Sequence, residues 1–273
     1  MAIKNFIQTV WSETLLDSLE KEYVAVRNCN RQFEGDLKNA DSVKVCSVKP
    51  ITLFNYVKNA PIDSPEILSD NGCIISPTVS KAFNFQIDDI DRAQSNPHIM
   101  QAAMRQAASA LANDADAHIF NLYEQVETFA EPATVTPDNI IDKIISLRET
   151  MLKHNVNSNI PTVLEVSPEV ASVILKANIT QLTNNEEAMF NGYIGSLIGF
   201  DVYVSNNVAF VEDTFKCYAR TKRAISFVEQ IKSIEAYRPD NLFADAVKGL
   251  YVYGAQIVYP KEIIVAELTP AKA

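Results

Sequence analysis

The sequence predicts a mixed α+β fold built around one overlong amphipathic helix. Three observations carry that prediction. Apolar residues recur at spacings of three and four from Met100 to Val126, extended β-rich runs occur between Ser42 and Ile87, and the segment after Phe200 alternates toward further strands. The 273 residues, 47% hydrophobic and 21% charged, are enough for one large domain or two small ones and exclude a disordered chain.

The elements follow in order. Phe6, Val10, Leu15, Leu16, Leu19 and Tyr23 recur at helical spacing, so Asn5 to Asn30 reads as an amphipathic opening helix. Two extended arms come next, Ser42 to Val57 and Ile74 to Ile87. They are separated by a Pro-containing stretch, 59–65, and the Asp70-Asn71-Gly72 turn signal, which together read as a projecting hairpin. Asn96-Pro97 is a cap-then-proline start, and the stripe of Met100, Met104, Ala107, Leu111, Ala115, Ile119, Leu122 and Val126 gives a spine helix of about 45–50 Å. Thr136-Pro137-Asp138 opens a second helix, expected to be largely buried through Ile140, Ile141, Ile144, Ile145, Leu147, Met151 and Leu152.

Pro161 to Val166 reads as a short strand, and Ser167-Pro168-Glu169 caps a third helix through Leu175. Strands are expected at Phe200–Val204, Phe215–Thr221, Ala224–Val228, Gly249–Tyr259 and Ile263–Leu268, with a brief helix at Asp240–Val247. Glu131 to Pro137 is the most linker-like stretch and the best single boundary.

Composition narrows the function. A formal charge of -10 argues against a free-standing binder of nucleic acid or of an anionic membrane. Seven glycines leave few loops for phosphates, and Gly192, Gly195 and Gly199 match neither nucleotide fingerprint, so they read as a tightly turning loop. Cys29, Cys46, Cys73 and Cys217 form no C-x-x-C pair and read as free thiols. No apolar run reaches the length of a signal-peptide core or a membrane span, which gives the expectation of a soluble, intracellular product.

Reactive constellations are few. Asp114 and His118 share a helix face with Asp116 close by, which could present a carboxylate and an imidazole together, but the plainer reading is a polar flank of the spine. Asp88, Asp89 and Asp91 could offer hard oxygens to a cation, yet they lack the glycine and terminal Glu of a calcium loop and read as a solvated strand-to-helix junction. Arg220, Lys222 and Arg223 are the densest basic run, a phosphate contact or, more simply, a solvated strand end. No catalytic, cofactor-binding or metal residue is therefore expected, and no cofactor. The amphipathic start, the hairpin and the spine are instead features that need neighbouring subunits, because an isolated hairpin is marginal in water.

Ordered segments then become familiar: Phe6-Ile7 to Leu15-Leu16; Asn30-Arg31 with Phe33-Glu34-Gly35; Phe83 to Asp91; Ala93 to Pro97; Ala112 to Asp116; and Gly199 to Asn206. In this order they resemble the major capsid proteins of tailed bacteriophages and prophages. The resemblance implies the Hong-Kong-type capsid fold. Its parts would be an N-terminal arm at 1–40, an extended loop at 41–85, a peripheral domain at 86–134 and 229–273 with its spine at 97–130, and an axial domain at 135–228. It further implies a non-enzymatic protein of the virion, assembled in the bacterial cytoplasm into hexamers and pentamers of an icosahedral shell. That shell encloses double-stranded DNA by weak, non-specific contact, with scaffolding, portal and decoration proteins as further partners and no membrane. The arm begins almost at Met1, so the resemblance implies a separate scaffold or a mature form, and no residue identifies a Lys–Asn crosslink. Within the same fold the alternative is an encapsulin-like nanocompartment shell; outside it, a metal-dependent enzyme using Asp88, Asp89, Asp91 or the Asp114/His118 pair.

Overall fold

Two β-sheets share one apolar core in the computed structural model, which describes residues 15, 18, 19, 22–33, 42–45, 53, 55, 58, 72–88, 99–157, 159–177 and 193–271. The strands are β1 (Val43–Val45), β2 (Cys73–Ile75), β3 (Val79–Asp88), β4 (Ala133–Val135), β5 (Thr162–Val166), β6 (Tyr193–Leu197), β7 (Phe200–Val204), β8 (Phe210–Val211), β9 (Thr214–Thr221), β10 (Ile225–Tyr237), β11 (Ala244–Ile257) and β12 (Ile263–Pro270). The helices are α1 (Ile99–Phe120), α2 (Ile140–Lys153) and α3 (Pro168–Lys176).

The larger sheet runs β4-β12-β9-β5-β7-β6, with β8 paired to β9. Every residue of β5 is buried, as expected of a central strand covered on both faces. Ser167 accepts the Val170 N–H through its side chain and Pro168 opens α3, so the expected cap and proline start hold. Helix α2 starts later than its Pro137 signal: Asn139 accepts the Thr136 N–H and donates to the Thr134 carbonyl, ordering a turn before Ile140. The expectation that this helix is largely buried is corrected. Ile140, Ile144, Leu147 and Met151 form the buried face, whereas Ile145 and Leu152 are exposed.

The smaller sheet is β10-β11-β3, antiparallel throughout. Here the expected second hairpin arm divides. Its first residues, β2, pair with β1 in the register Val43↔Ile75, while β3 turns away and pairs along its whole length with β11, Asp88 opposite Ala244. The cause is visible in the apolar side chains: Phe83 and Phe85 stack 6.0 Å apart and pack against the main core. The intervening loop signals at 59–65 and most of the first arm lie outside the described residues, as do the Asn96-Pro97 cap, Gly192 and Cys46.

Three further expectations change. The spine helix ends at Phe120 after 22 residues, about 33 Å, and a 3-10 turn over Asn121–Gln125 carries the stripe on to buried Leu122 and Val126. The terminus is set by Tyr218, whose hydroxyl meets the carbonyls of Ile119 and Phe120 at 3.1 and 2.7 Å, supplying partners that a continuing helix would have used. The brief helix at Asp240–Val247 is absent, because Ala244 to Val247 pair with β3 as the start of β11, and Ala246 and Val247 pair with β10 as well. The strand expected at Ala224–Val228 begins at Ile225 and runs on as the 13-residue β10, bulged between Ile231 and Ser233.

The glycine-containing loop is a hairpin. Ile198 and Gly199, both at positive φ, form the two-residue turn joining β6 to β7, with Leu197 opposite Phe200. Glu212 and Asp213 make the same kind of turn between β8 and β9. At the expected boundary, Ala133–Val135 is β4, paired in parallel with β12. Strand β12 in turn pairs with β9, so residues 263–270 join the larger sheet and not the smaller one.

The N-terminal segment is not a free arm over its described part. Leu15, Ser18, Leu19 and Glu22 are helical, and Leu15, Leu19, Tyr23, Ala25 and Val26 are buried in the main core. Leu111, buried midway along α1, belongs to that core. Leu111→Ala is expected to cost about 2–5 kcal/mol through lost transfer energy and a cavity. Asp114→Asn, which weakens a half-exposed pair with Lys81 and keeps an oxygen to accept from the Tyr253 hydroxyl, should cost less than the Leu111 change. Paired thermal melts of the two variants check the order.

Candidate functional site

The polar groups singled out from the sequence meet different fates. Asp114 accepts from Lys81 Nζ at 2.9 Å and from the Tyr253 hydroxyl at 2.5 Å, and the His118 ring stands edge-on to Tyr253 at 5.4 Å. The pair is therefore a tie between α1 and the smaller sheet, not a merely solvated flank. Burial acts to raise the Asp114 carboxyl, but the Tyr253 hydroxyl and Lys81 outweigh it and hold it below the usual carboxylate range. Burial lowers His118 against the opposing pull of Asp114. Asp88 ends β3 opposite Ala244, and Asp89 and Asp91 lie outside the described residues. Among the described residues, no three His, Cys, Asp or Glu side chains gather where they could hold a metal ion.

Arg220 overturns the reading of a solvated strand end. It is fully buried and forms a bidentate pair with Glu165, Nε to Oε2 at 2.9 Å and Nη2 to Oε1 at 2.8 Å. Its remaining donors reach the carbonyls of Asn28 at 2.7 Å and Ala25 at 3.0 Å. Arg223 pairs with Glu262 and lies 5.0 Å over the Tyr259 ring, and Glu262 also accepts from Thr221 at 2.6 Å. Both arginines serve structure, leaving no assembled phosphate cradle in this run.

Sequence reasoning missed most of this network. Asp116 on α1 accepts the backbone N–H groups of Val24, Ala25 and Val26 at 2.9, 3.0 and 2.9 Å. Asn28 donates to Val24 O and to Glu165, both at 3.2 Å. Glu229 on β10 accepts from the hydroxyls of Tyr23 and Tyr251, each at 2.5 Å, and pairs with Arg31. A usable signal did exist: Glu165 sits in Val163-Leu164-Glu165-Val166 and Arg220 follows Cys217-Tyr218-Ala219, opposite charges each set in an apolar strand.

Burial pushes the Asp116 carboxyl up to about 6; the three N–H groups oppose that shift and the nearby Glu165 adds to it. The folded protein therefore holds a proton between about pH 6 and pH 4 that the unfolded chain does not, so this residue's contribution to stability grows as the pH falls through that window. The melting temperature of the unaltered protein should rise relative to Asp116→Asn between pH 7 and 4.5. A pH-independent difference would refute the assignment.

Among the described residues the cysteines offer no reactive thiolate. Cys29, Cys73 and Cys217 are free thiols, and burial pushes Cys29 and Cys217 up to about 12, where little thiolate forms. An open groove of about 350 Å³ lies between α2 and the β4–β12 edge, lined by Phe129, Lys143, Leu147 and Leu268 among others. Large apolar side chains stand exposed at the β10–β11 tip, where Phe243 is 81% exposed beside Leu242. No described helix is long and apolar enough to cross a membrane.

Comparison with known proteins accounts for a molecule with a solid core, spent ionic groups and exposed apolar extremities. The family described as phage capsid protein matches residues 75–266, more than half of the chain. No curated protein matches it. Among solved structures, that of Mycobacterium phage Che8 is 27% identical with a TM-score of 0.72, over 90% of this chain and 91% of that one. The capsid of cyanophage P-SCSP1u is 14% identical at 0.64, over 86% and 85%. A virus-like particle from Pyrococcus furiosus is 14% identical at 0.61, over 96% and 99%. The fold is thus the mixed helix-and-strand arrangement of Hong-Kong-type phage capsid proteins, and the chain belongs to the phage capsid protein family as a structural major capsid protein of an icosahedral shell.

Proposed function

We propose that the subunit builds hexamers and pentamers that close around double-stranded DNA in a tailed-phage virion, after assembly in the cytoplasm of a bacterial host. The carrying observation is the family match from β2 to within β12, the span that holds α1 and both sheets. In this reading α1 and the β10-β11-β3 sheet form the peripheral part. The larger sheet with α2 and α3, now including β12, forms the axial part at the capsomer centre. The protein acts without catalysis, cofactor or metal, and its acidity keeps contact with packaged DNA weak and non-specific. Scaffolding, portal and decoration proteins are its further partners. The nanocompartment alternative is not favoured, since the matching family is that of phage capsid proteins.

Electron microscopy of the purified protein, with scaffold supplied, tests the reading: closed shells are expected, and a strictly monomeric protein over a wide concentration range would overturn it. The extended loop between β1 and β2 is proposed to lie across a neighbouring subunit. Replacing residues 52–72 with a short Gly/Ser turn should leave far-UV circular dichroism nearly intact and abolish closure. Normal shells from that variant would refute the loop's role.

A further inference from the structure

Strand β3 is an outer strand of the smaller sheet, in the order β10-β11-β3. Its ten residues pair with β11 on one side only, so every second residue turns its N–H and C=O outward. Among the described residues none of these groups has a backbone partner outside the ladder, and no residue of β3 is buried. Edges of this length are ordinarily broken by a proline, a bulge or an inward charge. Strand β3 has no proline and an unbroken register, and its one charge before the terminal Asp88, Lys81, is paired with Asp114 of α1. Such an edge is a template for one more strand.

The chain's own loop departs from the far end of the sheet. Cys73 Sγ lies 4.0 Å from Ile257 O, the Ser76 and Pro77 backbone crosses Gly254, and Val79 to Asp88 follow opposite Tyr253 to Ala244. The chain thus runs one way along β11. The loop joining β1 to β2 is rooted at the Ile257 end, where Val45 stands opposite Cys73, and the antiparallel β1 enters it heading away from β3. That loop contains Ile51-Thr52-Leu53-Phe54-Asn55-Tyr56-Val57, uncharged and rich in β-branched and aromatic residues. Within it Leu53 is 91% exposed and Asn55 is exposed, and neither belongs to a strand. At about 3.3 Å per residue, 51–57 needs about 23 Å of the roughly 33 Å that β3 offers, and the stretch from Val45 to Lys58 reaches about 43 Å from its root. We propose that residues 51–57 of one copy add as a fourth strand to the free edge of β3 in a neighbouring copy. The inference deepens the role proposed for the loop and rests on the shell-forming reading, whose failure would appear separately as the absence of closed particles from the unaltered protein.

Hydrogen exchange of the unassembled subunit and of closed shells is the test. In the free subunit the β3 amides facing β11 should be slow and those facing outward fast. On assembly the outward set should slow about tenfold or more, a gain at every second residue between Val79 and Asp88, and the amides of 51–57 should slow with it. A second arm is Ala82→Lys/Gln86→Lys, two exposed positions on one face, which sets charge along the edge. The free variant should melt with the unaltered protein, and closed shells should be lost. Closed shells whose outward β3 amides exchange as fast as in the free subunit would overturn the proposal while leaving the loop's crossing of a neighbour intact. Slowing of β3 without slowing of 51–57 would name a different occupant and overturn it as well, as would normal shells from the lysine variant.

Discussion

Arg220→Ala is expected to cost about 3–5 kcal/mol, because it leaves the fully buried Glu165 carboxylate without its countercharge. The loss spreads beyond the pair. The Asn28 carbonyl loses its Arg220 donor and the Ala25 carbonyl loses one of three, keeping the Asn28 N–H and the Cys29 thiol, and a buried acceptor left unmet adds a desolvation penalty. A domain stable by about 5–15 kcal/mol would lose a large share of that margin. Glu165→Gln/Arg220→Met, which removes both charges, should recover much of the loss. Thermal melts of the single and double variants check this, and a double variant no better than Arg220→Ala would mean that the ion pair is not the source.

The second large effect is expected at Gly254. This residue lies in β11 opposite Val228, and the chain leaving β2 passes directly over it. A Cβ at this position would overlap the Ser76 carbonyl oxygen and stand 2.9 Å from Pro77 Cα, both backbone atoms that no rotamer change can move. Gly254→Ala must therefore lift the β2–β3 connection and open the small cluster of Val43, Val45, Ile75 and Val228. Forced overpacking of this kind costs about 1–3 kcal/mol and more where the backbone must shift. Gly249→Ala is the control. Its Cβ would meet only the end of the Phe83 ring, which can rotate, so its melting shift should be the smaller of the two. An equal shift for the pair would show that the crossing backbone yields easily.

Much of the fold was legible wherever the deciding signal was local. Ser167-Pro168 caps its helix, α2 shows its apolar face at three-and-four spacing, and β7 is bounded as its sequence suggests. Legibility failed where the decision was made across the chain. Glu229 to Tyr237 mixes polar and apolar residues too evenly to announce a strand, and β10 exists there because β11 pairs with it. Ala244 to Val247 is helix-tolerant in isolation, but two neighbouring ladders override that preference. The stripe of the spine continues past Phe120, so periodicity could not reveal that Tyr218, about a hundred positions later, ends the helix. The polar network was hidden for the same reason, since Asp116, Glu165, Arg220 and Glu229 meet Tyr23, Ala25 and Asn28 only after folding. Family resemblance supplied the role, which no single constellation of side chains could have given.

The pairing of β3 with β11 also has a consequence for biosynthesis. Ser80 lies opposite Val252, and Tyr23 bonds a carboxylate 206 positions away. Neither the smaller sheet nor the docked N-terminal segment can form until the ribosome has delivered nearly the entire polypeptide. Such non-local closure is slow compared with helix formation. A nascent chain therefore lacks the smaller sheet until β11 is made and the β12 strand of the larger sheet until later still, and cannot present a finished surface to a growing shell. Chain completion becomes a checkpoint written into the topology, admitting only full-length subunits to a lattice that must close without defects.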